Sequence, residues 1–347
     1  MNSKLGIWFR RQYIIDGEVM KILPGGKVEE YNPFDFYNEG NRSRDNLHHI
    51  FASIDTDDSK QMVSFYNNYG PLGIIGRDIM KITRPYINEG KQTGLLVVLH
   101  DSDDLIPVAE FMETYDVPVG EFGSRYIDSK QIPSILEVSL YAGESVEKFT
   151  YQQRRFRWIL DMLTALFLKD EDKVSQLLKD QHPPIKELMA SANPYLQGTM
   201  SDTEKLASAM EIVVKHINAE LANRTSVKLS SDTANLTISK QLEWSFDSLL
   251  TALYMMVLMD IQRGVISRSC EECGRYFETN RADIQYCSAK CQSRSNTRKH
   301  RELRQLINEM FEAGRTAEEI AEKTGREVSL VESWIQAGGK AVLEEPV

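Results

Sequence analysis

Cysteine is scarce in this chain of 347 residues: there are four, and all lie between positions 270 and 291. Two disulfides would need an oxidising compartment, and Met1 to Trp8 lacks the apolar core of roughly 7–15 residues that a secretory signal carries. Long hydrophobic runs are missing too. The longest uncharged apolar stretch in a helical pattern, Ser248 to Met259, is too short to cross a bilayer and reads as a buried helix. Cytoplasm is the expected location, with no membrane partner. There is no Gly-x-Ser-x-Gly, no P-loop and no Gly-x-Gly-x-x-Gly, so the commonest hydrolase and nucleotide-binding signatures are absent. Positive charge is in short supply: 41 Lys and Arg against 51 Asp and Glu leave a net charge of −10. Taken whole, the molecule is not built to cling to nucleic acid. What remains is an ordinary globular composition, 41% apolar and 27% charged, with length enough for two or three domains.

The charge is unevenly spread. Arg263 to Arg304 holds ten Lys/Arg against five Asp/Glu, whereas residues 305–347 hold four against nine. The one basic island therefore coincides with the cysteines. Their spacing is Cys270-x2-Cys273, thirteen residues, then Cys287-x3-Cys291. Two close pairs joined by a short loop can turn four thiolates toward one point, which is what a tetrahedral metal site needs. The usual iron–sulfur spacings differ. Zinc suits four thiolates and carries no redox liability, so one structural Zn2+ per chain is expected. Gly274 lets the backbone turn back after Cys273, and Tyr276 and Phe277 are expected to pack behind the metal.

Upstream, alternating and turn patterns predict strands over Gly6 to Ile15 and Val19 to Leu23, meeting at Asp16-Gly17. Tyr31 to Tyr37 reads as loop. Helices are expected over Asn46 to Ile54 and Asp58 to Asn67, followed by a tight turn at Tyr69 to Gly73. His48 and His49 lie about 100° apart on their helix and read as ordinary polar positions. Leu95 to Leu99 is a short buried strand running into His100 to Asp104. That layout can be the mouth of an α/β active site or a solvated capping loop. Ser145 caps a strong helix to Leu168, whose Arg154, Arg155 and Arg157 read as a solvated face. The next helix, from Glu171, is broken by Pro183-Pro184. Thr203 to Asn223 forms another. Val227 to Leu229 and Leu236 to Ile238 form a hairpin, and Leu242 to Gln262 is the most apolar helix, ended by Gly264.

Ser288 caps a helix whose first turn carries Cys291, the arrangement of a treble-clef finger. That helix presents Arg294, Arg298 and Arg301 as a cationic stripe, with Lys299 and Arg304 beside it, able to neutralise phosphates. Leu303 to Ala313, the capping box Thr316-x-x-Glu319, and Val328 to Ile335 read as a helix-turn-helix. Leu330, Val331 and Trp334 are its packing positions, and Arg326, Ser329 and Ser333 join the candidate nucleic-acid contacts. Glu327 and Glu332 on the last helix would repel phosphate.

Leu242 to Arg301 resembles the C-terminal half of bacterial proteins with a CGNR-type zinc finger. The likeness rests on the apolar helix, Cys270-x-x-Cys273-Gly274-Arg275-Tyr276-Phe277, Tyr286-Cys287-Ser288, Cys291, Arg294 and the Arg-rich tail. Phe65 to Gly73 is similar to a stretch that precedes the finger in related proteins. The name-giving tetrapeptide stands here as Cys291-Gln292-Ser293-Arg294, keeping only its first and last residues. The resemblance implies a transcription regulator.

The expected fold is α+β and mainly helical. It comprises an N-terminal α+β region (1–143), a helical core region (144–264), a zinc finger with basic helix (265–302) and a helix-turn-helix-like unit (303–340). The expected function is zinc-stabilised DNA binding without enzymatic activity, a ligand or oligomer role falling to the N-terminal region. The alternative is a protein-docking module, and an enzyme using Asp101 or Asp103 is a third reading.

Overall fold

The computed structural model describes residues 7–23, 27–37, 45–74, 79–88, 91–99, 105–107, 144–192, 201–222, 224–232 and 237–341. The elements run β1 (Trp8–Arg10), β2 (Tyr13–Asp16), β3 (Val19–Ile22), β4 (Glu29–Tyr31), α1 (Leu47–Ala52) and α2 (Ser59–Tyr69). Then come β5 (Ile79–Asn88), β6 (Lys91–Leu99), β7 (Leu105–Pro107), β8 (Glu144–Ser145), α3 (Val146–Leu168), α4 (Glu171–Leu177), α5 (Pro183–Ala192) and α6 (Asp202–Leu221). The chain continues through β9 (Thr225–Asp232), β10 (Thr237–Phe246), α7 (Leu249–Arg263), β11 (Ile266–Ser269) and β12 (Tyr276–Thr279) to α8 (Ala289–Glu312), α9 (Ala317–Thr324) and α10 (Val328–Ala341). The described residues are mainly helical with small antiparallel sheets. None of their helices is long and apolar enough to cross a membrane.

Two compact units result: Met1–Ser269 with Arg275–Ile284, and Cys270–Gly274 with Gln285–Val347. In the first, α1, α2, α3, α6 and α7 share one core. Phe51, Phe65, Phe149, Phe156 and Tyr254 meet there edge-on or tilted. Helix α7 begins where the Ser248 side chain accepts from the Thr251 N–H, and ends at Gly264 with φ +67°. Every residue from Leu249 to Val257 between those caps is buried. β2 and β3 form a hairpin through the turn Gly17–Glu18, and β8 adds a third strand to it. β1 pairs instead with β4.

A buried carboxylate fixes the turn after α2. Glu144 accepts from Tyr66 Oη at 2.6 Å, Leu72 N at 2.9 Å and Ile74 N at 2.8 Å. Burial pushes its pKa up, and these donors act in the opposite sense. Trp8 Nε1 donates to Pro71 O at 3.0 Å, stitching β1 to the same turn.

In the second unit, Ile307, Met310, Ile320, Ala321 and Val331 form a small core of their own, with Leu303, Trp334 and Ile335 against it. The Thr316–Glu319 capping box opens α9, and Gly325 closes it at φ +63°. Helix α8 is continuous for 24 residues, so it crosses the boundary expected near 302 without a break.

Several expectations need correction. Leu242 to Phe246 belongs to strand β10, because it pairs with β9 and the helix waits for its serine cap. Pro183 starts α5 rather than ending α4, since a first-turn proline gives up only an amide with no helical partner. Pro33 to Phe36 is a short 3-10 turn rather than loop. Leu95 to Leu99 lies in an antiparallel sheet, not at the crossover of a parallel one. His100 to Asp104, including Asp101 and Asp103, lies outside the described residues. Tyr276 packs in the main core and donates to Asp161 at 2.6 Å, rather than backing the cysteines. Leu330, expected to pack, is 37% exposed.

Two glycines separate strain from crowding. Gly17 and Gly70 both have positive φ, but a Cβ at Gly17 meets nothing within 4 Å, while one at Gly70 would sit 2.0 Å from Phe9 O. Gly17→Ala should cost about 1–2 kcal/mol, the strain of a left-handed residue. Gly70→Ala should cost distinctly more, as read by urea denaturation of the full chain.

Candidate metal centre

β11 and β12 pair in register from Ile266↔Thr279 to Ser269↔Tyr276. The hairpin leads into a tight knuckle at Cys270–Gly274. Gly274 N donates to Cys270 O at 2.8 Å, and Gly274 has φ +70°. Only a residue without a side chain takes this turn freely. Glu271 N reaches Gln285 O at 3.1 Å and so brings the second pair alongside the first. Ser288 caps α8 by accepting from Cys291 N at 3.2 Å, which places Cys291 in the first turn facing Cys287.

The four sulfurs converge. Cys273 and Cys287 are 3.7 Å apart, Cys287 and Cys291 3.6 Å, and all four lie within 4.8 Å of one another. Tetrahedral metal–sulfur bonds of about 2.3 Å put the sulfurs about 3.8 Å apart, so the set fits a metal ion. Cys270, Cys287 and Cys291 are buried, and Cys273 is exposed. Burial opposes ionisation of Cys270, yet the N–H groups of Cys287, Cys273 and Glu272 outweigh it and hold its pKa at about 7. Burial and the neighbouring thiols push Cys287 up to about 12. Without a cation, one thiolate therefore suppresses the next; a divalent ion would take all four.

The remaining candidates are spread along α8 and beyond. Arg298 Nη1 is 2.8 Å from Glu272 and its Nε 3.7 Å from Glu302, so it buttresses the knuckle. Lys299 Nζ donates to Tyr286 Oη at 3.3 Å. Arg304 stacks over Trp334 at 5.7 Å, and His300 meets the same ring at 4.8 Å. Arg294 and Arg301 are exposed, and Arg301 shares an open face with Gln292, Ser293, Asn296 and Thr297. Arg326, Ser329 and Ser333 are exposed near and on α10, with Ser333 Oγ donating to Leu330 O at 2.7 Å.

Sequence reasoning missed one cluster. His48 and His49, read as ordinary polar positions, are fully buried. Asp260 lies 2.9 Å from His48 Nε2 and accepts from Tyr37 Oη at 2.7 Å. Burial works against its ionisation. The hydrogen bond and charge of His48, with help from Tyr37 and His49, bring its pKa down to about 2. The signal was present: Asp260 is the sole acid in the most apolar helix, where a carboxylate needs partners.

Metal binding should carry the folding of the second unit, because the small core there leaves much to the thiolates. Cys287→Ser, or chelation, should expose 285–341 to limited proteolysis while the core helices α1, α2, α3, α6 and α7 of the first unit stay protected. Equal protection in both parts would show that the metal is dispensable.

Compared with known proteins, the chain matches no family model, and no curated protein or solved structure is significantly similar to it.

Proposed function

We propose that the protein is a zinc-stabilised DNA-binding protein that works as a transcriptional regulator. The observation that carries this is the origin of α8. The helix starts inside the four-cysteine cluster and then presents exposed Arg294, and exposed Arg301 on a face shared with Gln292, Ser293, Asn296 and Thr297. Zinc fits the donor set: four thiolates, closely spaced, with no position left for a substrate. Such a site stabilises and does not catalyse. Cationic side chains on one helix face bind phosphate, and amide and hydroxyl side chains beside them can meet base edges. The knuckle, hairpin and cysteine-bearing helix support a treble-clef-like finger, and α8 to α10 support a helix-turn-helix. The resemblance of Leu242 to Arg301 to CGNR-type proteins points the same way.

A protein-docking role is the second reading. It is favoured by Leu306, Phe311, Val328 and Leu330, apolar side chains 37–49% exposed in the second unit. Glu327 and Glu332 are exposed there as well and would repel phosphate.

Binding to pooled genomic fragments at several salt concentrations separates the two. Regulation requires saturable binding that weakens steeply with salt and enriches particular fragments. Replacing Arg294 and Arg301 with alanine should flatten the slope of log affinity against log salt by about two units, roughly 0.9 for each phosphate no longer neutralised. An unchanged slope removes these arginines from the interface. Absence of binding at low salt leaves the docking role.

A further inference from the structure

The first unit holds a second group of side chains of metal-ligating type. His48 and His49 sit in the first turn of α1, their ring centroids 3.9 Å apart. Both Nε2 atoms turn to Asp260 Oδ2 on the last turn of α7, at 2.9 and 3.9 Å. Ser267 Oγ lies 2.9 Å from the same carboxylate oxygen and 2.8 Å from His49 Nε2. The three donor atoms are within 4.8 Å of one another, and all three residues are buried.

Two buried carboxylates stand beside one guanidinium. Arg263 pairs with Glu278, and its Nη1 stands 3.6 Å from Asp260 Oδ1. With neutral imidazoles, two carboxylates share one guanidinium, and a negative charge stays buried. Burying an ion without its counter-ion costs several kcal/mol. The outer atoms are already arranged. Tyr37 Oη donates to Asp260 Oδ1 at 2.7 Å, which leaves Oδ2 aimed at the histidines. His48 Nδ1 meets no hydrogen-bond partner among the described residues. Asp260 holds the ring hydrogen on Nε2 at present, and the free Nδ1 can receive it, after which Nε2 offers a lone pair. A groove of about 320 Å³ lies nearby, with Phe167, Met210, Val214, Ile261, Asp260 and Ser267 among its lining residues.

We propose that His48, His49 and Asp260 form a second metal site, which takes a divalent first-row transition ion through two imidazole nitrogens and one carboxylate oxygen. Two nitrogens and one oxygen suit zinc, manganese or ferrous iron. They do not suit calcium or magnesium, which seek oxygen alone. The ion takes the place between His48 Nε2 and Asp260 Oδ2, the ring hydrogen of the neutral imidazole moves from Nε2 to the unpartnered Nδ1, and the ion cancels the buried charge. The site stands whether or not the protein binds DNA, since it shares no residue with the thiolate centre or with α8.

Cobalt(II) titration of the metal-free full chain tests it. The first equivalent should give the intense thiolate-to-cobalt charge-transfer band of the cysteine cluster. A second should add weak visible bands with no further charge transfer. In the His48→Gln, His49→Gln double variant the second phase should vanish while the first remains. Elemental analysis of protein purified from metal-supplemented medium should fall from two ions per chain to one in that variant. Should the variant fail to fold, the unaltered chain still decides: absorption that saturates at one equivalent, with one ion per chain, overturns the site. That outcome leaves Tyr37, His48, Asp260 and Ser267 as a hydrogen-bonded tie between helices.

Discussion

Four sulfurs held within 4.8 Å of one another cannot all be thiolates in the absence of a cation. The pKa values of Cys270 and Cys287, about 7 and about 12, show the conflict within the set. Resolving it fixes a great deal. The knuckle at Cys270 to Gly274, the cap at Ser288 and the direction in which α8 leaves all follow from bringing these atoms to one point. The second unit depends on that point because its apolar core has only five buried side chains among the described residues. A core of that size stabilises a fold weakly, and an ion bound by the four thiolates would add to it.

The first unit solves a different problem. Its core is large, so apolar burial holds it together, and its polar atoms specify how the pieces align. Glu144 collects the Tyr66 hydroxyl and two amides, and thereby sets the turn after α2. Tyr276 places its hydroxyl on Asp161 and takes Ser53 Oγ on its amide at 2.8 Å, so β12 is tied to α1 and α3. Asp260 does the same for α1, α7 and β11. Each group is expensive to bury alone and inexpensive when paired, which makes these ties sensitive to the loss of one partner.

The chemically distinctive groups are divided in the same way. The unit with the four cysteines carries exposed charge and hydrogen-bonding side chains on α8. The larger unit carries a buried His–His–Asp cluster. Arg298 shows an arginine of the basic helix spent on an internal ion pair. The sequence makes it part of a cationic stripe, yet Glu272 takes its charge for the knuckle.

Local signals were legible wherever the chemistry is local. The cysteine spacing, the Ser145, Ser288 and Thr316 caps, and the glycines at 264, 274 and 325 act within a few residues, and the sequence by itself determined them. The helices α3, α6, α8 and α9 follow from the same patterns. Only the tertiary structure decided what depends on partners far along the chain. Trp8 meets Pro71, Tyr37 and His48 meet Asp260, and Tyr276 meets Asp161, across separations from 63 to 223 residues. Strand β10 outcompetes a helical reading of Leu242 to Phe246 because β9 offers it a ladder of hydrogen bonds. His48 and His49 look polar and solvated in sequence because helical periodicity records angle around an axis. Whether a buried carboxylate waits at that angle is settled by the packing of α1 against α7.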